Sequence, residues 1–379
     1  MAGVTTVAVP AETRPGERRV ALVPESVGRL TALGVDVRVQ AGAGLGANAL
    51  DAAYSHAGAT VVDGDVFAGA EVVLSVNSLD PDRVAALAPG TTVVSFLAPS
   101  ASLDKVKAAQ DAGITWLSME LVPRISRAQS MDALSSQGLV AGYRCALVAA
   151  ERLPKFFPML MTAAGTVKPA KVVVLGAGVA GLQAIATAKR LGAVVQAYDV
   201  RAAAADEIRS MGAKFIELDL ESLEGAGGYA REMTEDRSQR QRDLLTPYIT
   251  EADAVITTAA VPGRQAPMLV TRQMVETMAP GSVVVDLAAE TGGNVEGSVA
   301  GEEVMVGHAS VWGGLNVPSQ MPVAASRLYS ANLVAISELF LKEGAVVMDF
   351  EDEILDGACV THDGVVRFAP AREALEGGS

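Results

Sequence analysis

KVVVLGAGVAGLQAIATAKRLGAVVQAYDVR, residues 171–201, is the stretch whose reading decides the fold. A five-residue apolar strand runs into Gly176-Ala-Gly178-Val-Ala-Gly181, and an Ala-rich helix follows. Each glycine has its own reason. Gly176 permits a tight turn, Gly178 lets a pyrophosphate approach the backbone, and Gly181 lets the helix pack closely on the strand. Val179 and Ala180 open that helix, whose free N–H groups and macrodipole favour an anion. The next strand ends at Asp199, 18 residues after Gly181. A carboxylate there accepts hydrogen bonds from both hydroxyls of an adenosine ribose and repels a 2′-phosphate. A glycine motif alone is weak; with strand, helix and acid at this spacing it reads as a site for NAD(H) over NADP(H). Val200 and Arg201 complete the strand end. Arg201 either softens the preference or is a solvated helix-start arginine.

Outward from this stretch, strand and helix alternate in both directions. Residues 171–175, 194–198, 214–217, 254–257 and 282–286 read as one strand series. Upstream, 4–10, 35–40, 71–76, 91–97 and 115–121 form another, with an amphipathic segment at 25–33. This spacing favours parallel sheets. Residues 137–152, punctuated by Gly142 and stopped near Pro154, read as a helix connecting two domains. TAAGTVKPA, 162–170, reads as a loop. From about Ser326 a helical pattern returns, strongest at 331–342, before a tail containing GACVTHDGVV. The expected class is α/β, with two Rossmann-like, doubly wound parallel-sheet domains. The first is discontinuous, 1–136 plus 328–379, and the second spans 137–327.

Composition agrees. Half of the 379 residues are hydrophobic and only 4% aromatic, so two cores of Ala, Val, Leu and Ile are expected. The 30 basic and 44 acidic residues leave a net charge of −14, which repels nucleic acid and anionic lipid. Cys145 and Cys359 fit no metal spacing and read as reduced buried thiols. His56, His308 and His362 make no paired-ligand pattern, so no metal site is expected. The first residues lack a secretory signal, and no run approaches the ~20 apolar residues of a membrane helix. The expected location is the cytoplasm unless a partner carries the chain to a membrane.

Longer blocks are more specific than the glycines. PRISRAQSMDALSSQ (123–137), MTAAGTVKPAKVVVLGAGVAGLQAIATAKRLGA (161–193), DVR (199–201), AGGYAREM (226–233) and DLAAETGGN (286–294) stand in one order along the chain. With them the sequence resembles the NAD(H)-binding soluble alpha component of proton-translocating nicotinamide nucleotide transhydrogenase, collinearly over nearly its whole length. The resemblance implies an NAD(H) cleft between two Rossmann-like domains. It also implies a homodimer docked on membrane-bound subunits that carry NADP(H) and the proton channel, at the inner face of the cell membrane. Hydride then passes directly between the two nicotinamides. Such transfer needs no general acid or base, only aligned rings and excluded water.

By the same resemblance Arg124, Asp132 and Ser135 hold the nicotinamide carboxamide and ribose, while Gln129 faces the incoming NADP(H). Ile125, Ser126 and Arg127 share that loop and belong to the implied cofactor site. Taken alone, the string reads as a charged surface loop with a helix cap at Asp132 or Ser135. Residues 221–245 alone read as an exposed loop and a solvated helix. The resemblance makes them a lid in which Tyr229 closes over the nucleotide and Gly228 and Gln241 touch it. AVITTAAVPG, 254–263, resembles the strand end whose backbone near Ala260 meets the adenosine or ribose edge.

Two other functions compete. Alanine dehydrogenase shares the block Arg19-Val20-Ala21-Leu22, but its reaction requires a proton acceptor and a cation for the substrate carboxylate. That family supplies a lysine in a KVKEP-like block and a histidine in a YLHL-like block. This chain has LSVNSL (74–79) and SFLAPS (95–100) there, with neither residue. An NAD(H)-sensing subunit would use the same fold without a ring-aligning loop. The first domain departs most from the family pattern around residues 76–81, where polar NSLD replaces a more basic stretch.

Overall fold

A computed structural model describes residues 4–220, 235–260 and 263–377. The chain divides into two compact units, Met1–Gln137 with Ser319–Ser379, and Gly138–Pro318.

The second unit holds the glycine motif. Its seven-stranded sheet runs, edge to edge, Lys214–Phe215, Val194–Tyr198, Lys171–Leu175, Ala254–Thr257, Val283–Asp286, Ala309–Gly313 and Glu303–Val306. All pairs are parallel except the last. Strand Lys171–Leu175 therefore sits where the winding reverses, and a doubly wound sheet binds ligands outside the carboxyl end at such a point. The strands are near-continuous apolar runs because both faces are covered. Val172, Val174, Ala254, Ile256, Val283 and Val285 enter one core, and Val173, Leu175, Val255 and Val284 the opposite one, as the two-residue side-chain period requires.

The first unit repeats the plan. Its eight-stranded sheet runs Val365–Val366, Cys359–His362, Thr115–Ser118, Thr92–Ser95, Val72–Leu74, Thr6–Val9, Asp36–Gln40 and Thr60–Val62. Its first two strands, from the chain's last residues, are antiparallel, and the other six are parallel to one another. Val7 and Val9 face one core and Ala8 the other. Two doubly wound α/β units are thus the fold.

Several local expectations need correcting. TAAGTVKPA is not simply a loop. Leu160–Thr162 pairs with Gly165–Val167 in a hairpin whose six strand residues are all exposed. The returning helix is Pro322–Phe340, starting nine residues before 331. Pro322 suits its first turn. Ser326, Ser330 and Ser337 are fully buried in it, so small polar residues stand where an apolar stripe is sought and hide the pattern. Accordingly the chain re-enters the first unit at Ser319, ahead of 328. The connecting helix is Ala133–Arg152, four residues longer at its start than 137–152. Glu303–Val306, Ala309–Gly313 and Thr60–Val62 are strands that the patterning does not announce. The tail GACVTHDGVV forms a hairpin whose turn residues Asp363 and Gly364 have φ of 47° and 76°, the left-handed pair of a tight hairpin.

Candidate functional site

The glycine loop is built as tightly as its composition implies. Gly176 has φ +94°, and a Cβ there would lie 2.9 Å from the Ala259 nitrogen. A Cβ on Gly181 would lie 1.9 Å from the Gly176 carbonyl oxygen. A Cβ on Gly178 would meet nothing within 4 Å. Two glycines therefore serve close packing, and the third leaves its backbone open. Gly178 caps helix Val179–Arg190, which has no acid in its first turn and Lys189 and Arg190 in its last. That charge arrangement leaves the positive end of the dipole for a ligand anion. Gly142 of the preceding helix packs onto the same turn, since a Cβ there would lie 2.0 Å from the Ala180 oxygen.

Asp199 stands beside this turn, with one oxygen accepting from Ala177 N at 2.7 Å. Arg201 folds back on it. Its Nε donates to Asp199 Oδ1 at 2.9 Å and a terminal nitrogen donates to Oδ2 at 3.1 Å and to the Ala177 oxygen at 3.1 Å. Arg201 is thus an ion-paired residue of the strand end, not a solvated one. Val200 is half-buried between them.

Ala260 is exposed at the end of strand Ala254–Thr257. The peptide before it is fixed by Asn294, which is fully buried. Asn294 Oδ1 accepts from Ala259 N at 3.0 Å, and its Nδ2 donates to the Ala259 oxygen at 2.8 Å. Asp286, also fully buried, accepts from Thr257 Oγ1 and from the backbone of Ala288 and Asn294. Sequence alone assigns the DLAAETGGN block no role; in the structure its first and last residues shape this strand end. Gln241, on helix Glu235–Thr250, is 1% exposed and faces Tyr198, whose hydroxyl burial pushes up to about 12. The Gln241 Nε2 finds no hydrogen-bond acceptor among the described residues, a buried donor that a bound group can satisfy. Gly228 and Tyr229 lie outside the described residues.

In the first unit, residues 124–135 form a 3-10 turn, Ser126–Met131, that leads into helix Ala133–Arg152. Ala128 and Met131 are buried beneath it, which leaves Arg124, Ser126, Arg127 and Gln129 exposed and Ile125 half-buried. Asp132 accepts from Ser135 N at 2.8 Å and from Ser135 Oγ at 2.6 Å, so the pair caps the helix. Arg127 is turned onto Asp352 in a two-pronged pair at 2.7 and 2.8 Å. The hydrogen bond from Arg127 is the main cause that holds the Asp352 carboxyl down at about 2.

The block containing Arg19 is organised around a buried ion pair. Arg19 is 6% exposed and the Glu17 side chain is fully enclosed. Arg19 donates to Glu17 Oε1 at 2.8 Å, to Oε2 at 2.6 Å and to Gln137 Oε1 at 3.0 Å. Burial raises the Glu17 carboxyl, but the guanidinium more than offsets it and brings it down to about 2. Asn77 Nδ2 bridges Glu12 and Glu17 at 2.8 and 3.0 Å, and burial pushes the Glu12 carboxyl up. Phe96 stacks on Tyr329 with centroids 5.3 Å apart, and Ser95 Oγ accepts from Trp116 Nε1. The LSVNSL and SFLAPS residues are thereby built into the packing of the unit.

Among the described residues no group of three or more His, Cys, Asp or Glu is placed to hold a metal ion, and no helix is long and apolar enough to cross a membrane. Burial pushes the thiols of Cys145 and Cys359 up to about 12.

Comparison with known proteins agrees with this anatomy. Residues 8–141 match the N-terminal domain of the alanine dehydrogenase/PNT family and residues 145–369 its C-terminal domain. The first of the polypeptides that make up NAD(P) transhydrogenase subunit alpha in Rhodospirillum rubrum is 45% identical over 372 residues, which cover 95% of this chain and 97% of that protein. An alanine dehydrogenase of Mycobacterium tuberculosis is 35% identical over 77% of this chain and 74% of its own length. The crystal structure of a transhydrogenase from Sinorhizobium meliloti superposes with a TM-score of 0.88 at 45% identity, covering 95% of this chain and 99% of that one. With both family domains matched in order and relatives this similar, the chain belongs to the alanine dehydrogenase/PNT family, among the NAD(P) transhydrogenase alpha subunits.

Proposed function

We propose that this chain is the NAD(H)-binding subunit of a proton-translocating NAD(P) transhydrogenase. It passes hydride directly between NAD(H) and NADP(H) held by a partner subunit. The observation that carries this reading over the dehydrogenase branch is the capture of Arg19 by Glu17. A cation clamped by both oxygens of an enclosed carboxylate is not offered to a substrate carboxylate, and Asn77 beside it is no proton acceptor.

The second unit suits the nucleotide. The open backbone at Gly178 admits a diphosphate to the helix terminus, Asp199 offers acceptors for ribose hydroxyls, and Gln241 offers a buried donor. When bound, NAD(H) supplies or accepts the hydride. The chain's own work is then orientation. Arg124, Gln129, Asp132 and Ser135 hold and align the nicotinamide end, and Asp132 keeps its cap on the helix while doing so. The working assembly in this proposal is a homodimer at the inner face of the cell membrane, docked on subunits that carry NADP(H) and the proton channel.

The test is stopped-flow transfer from NADH bound to this chain to NADP+ on the partner subunit, beside fluorescence titration of NADH. Transfer without oxidation of alanine is expected. Gln129→Asn should bind NADH nearly normally and transfer on the order of 10²-fold more slowly, since a misaligned pair of reactants costs about that much. Efficient reduction of NAD+ by alanine would return the chain to the dehydrogenase branch. Normal transfer by Gln129→Asn would remove the aligning role of the loop.

A further inference from the structure

The turn Ser126–Met131 is held weakly by its own backbone. Asp132 N reaches the Gln129 oxygen at only 3.4 Å, at the long end for a hydrogen bond. Ala128 and Met131 anchor the inner side of the turn, but Gln129 and Ser130 stand outside. One side chain reaches across to that outer segment. Asn332, on helix Pro322–Phe340, is 7% exposed and donates from Nδ2 to the Ser130 carbonyl at 2.8 Å.

Asn332 is itself the end of a series. Arg19 donates to Gln137 Oε1 at 3.0 Å, and Gln137 Nε2 donates to Ser136 Oγ at 3.3 Å. Ser136 Oγ donates to Asn332 Oδ1 at 2.7 Å, and Asn332 Nδ2 donates to Ser130 O. Every link points the same way, from a buried cation to a loop carbonyl. Hydrogen bonds in line polarise one another, and a charged donor at the head strengthens those that follow. A second Gln137 bond, to the Ala325 oxygen at 3.1 Å, ties the middle of the series to the returning helix. An enclosed polar series is costly unless each member is satisfied. This one is satisfied, and its terminus is the peptide between Gln129 and Asp132.

We infer that Asn332 is a positioning residue for hydride transfer, fixing the Gln129–Asp132 segment through Ser130, with the Glu17–Arg19 pair as the anchor of the series. The inference rests on the transhydrogenase reading for its consequence in rate, but not for the hold itself. It also gives the Arg19 block a use that owes nothing to a substrate carboxylate.

The experiment uses the full chain with Asn332→Ala and Asn332→Asp. The second keeps an acceptor for Ser136 but removes the donor to Ser130. Backbone amide exchange is read over residues 126–132 and over the sheet strands Thr6–Val9 and Thr92–Ser95. Alongside it run NADH titration and single-turnover transfer to NADP+ on the partner subunit. Exchange should quicken at 126–132 and stay unchanged in the strands, as expected for a local opening. Transfer should fall at least about tenfold while NADH affinity changes less than about threefold, the split expected when alignment is lost and binding kept. Unchanged exchange at 126–132 in either variant would overturn the inference. So would exchange that quickens equally in the strands, which would make Asn332 a packing residue only. If the unaltered chain transfers no hydride, the transhydrogenase reading fails, and the exchange arm still decides what Asn332 holds.

Discussion

At the scale of single residues, Asp199 is already paired before any nucleotide arrives. Arg201 engages both of its oxygens, so ribose hydroxyls must compete with a guanidinium for the carboxylate. Asp199→Ala should weaken NADH binding by about 1–3 kcal/mol, the scale of lost hydrogen bonds to a charged group, and narrow the gap between NADH and NADPH. Arg201→Ala should act oppositely on selectivity. It uncovers the negative charge, so NADPH binding should fall further relative to NADH. Fluorescence titration of both nucleotides checks the pair; an Arg201→Ala chain that accepts NADPH more readily would mean that the arginine screens nothing. Asp199 is legible because its distance from the glycines is fixed by one strand–helix–strand unit. The fate of Arg201 is not, since the sequence places the two side by side without stating a rotamer. Arg19 is harder still. Its acceptor Gln137 is 118 residues away, and such a meeting is decided by the completed sheet.

At the scale of elements, the three glycines of one turn separate stability from binding. Gly181→Ala forces a Cβ against the Gly176 oxygen at 1.9 Å, so helix Val179–Arg190 must shift off its strand. Overpacking of this kind costs about 1–3 kcal/mol, and a lower melting temperature is expected together with weaker NADH binding. Gly178→Ala meets nothing in the protein. It should leave the melting temperature unchanged or higher, yet obstruct a diphosphate and weaken NADH binding about tenfold or more. Thermal melts and titration of both variants test this. Equal behaviour would mean that Gly178 is not where the backbone is approached. The glycine roles can be read in advance because turn, strand and helix follow one another within a dozen residues. The strands Glu303–Val306 and Ala309–Gly313 cannot, since their short runs mix Glu303, exposed Met305 and half-buried Ser310 with apolar residues. The start of the returning helix escapes for a related reason. Ser326 and Ser330 look like surface residues, but they accept from Val20 N and Val23 N inside the first unit.

At the scale of the whole molecule, the buried charges govern how the fold responds to acid. The Glu17 carboxyl is held at about 2 against an ordinary 4.5. Its contribution to stability is therefore present above pH about 4.5 and is lost as the pH falls towards 2. Glu12 is raised by burial, so the folded chain takes up its proton first and gains stability as the pH falls towards 4.5 from above. The two neighbours bend the stability curve in opposite senses on either side of that value. Melting temperature followed across this range should fall on the acid side, and Arg19→Met should remove most of that limb. Arg19→Met should also destabilise the protein at neutral pH by about 3–5 kcal/mol, because it leaves an enclosed carboxylate without its cation. A variant with the same acid limb as the parent would show that the pair contributes nothing to it.

The return of the chain to its first unit has a consequence for synthesis. Residues 138–318 are complete and contiguous, whereas the outer unit still lacks helix Pro322–Phe340 and strands Cys359–His362 and Val365–Val366 when they have been made. On a ribosome the inserted unit can close its sheet first. Meanwhile strand Thr115–Ser118, to which the last strands add, waits as an open edge until the ribosome has passed the whole of the inserted unit. Unpaired edges recruit other chains. The nascent outer unit is therefore where a chaperone would be needed, and a message truncated near its 3′ end would yield a nucleotide fold attached to an adhesive half-domain.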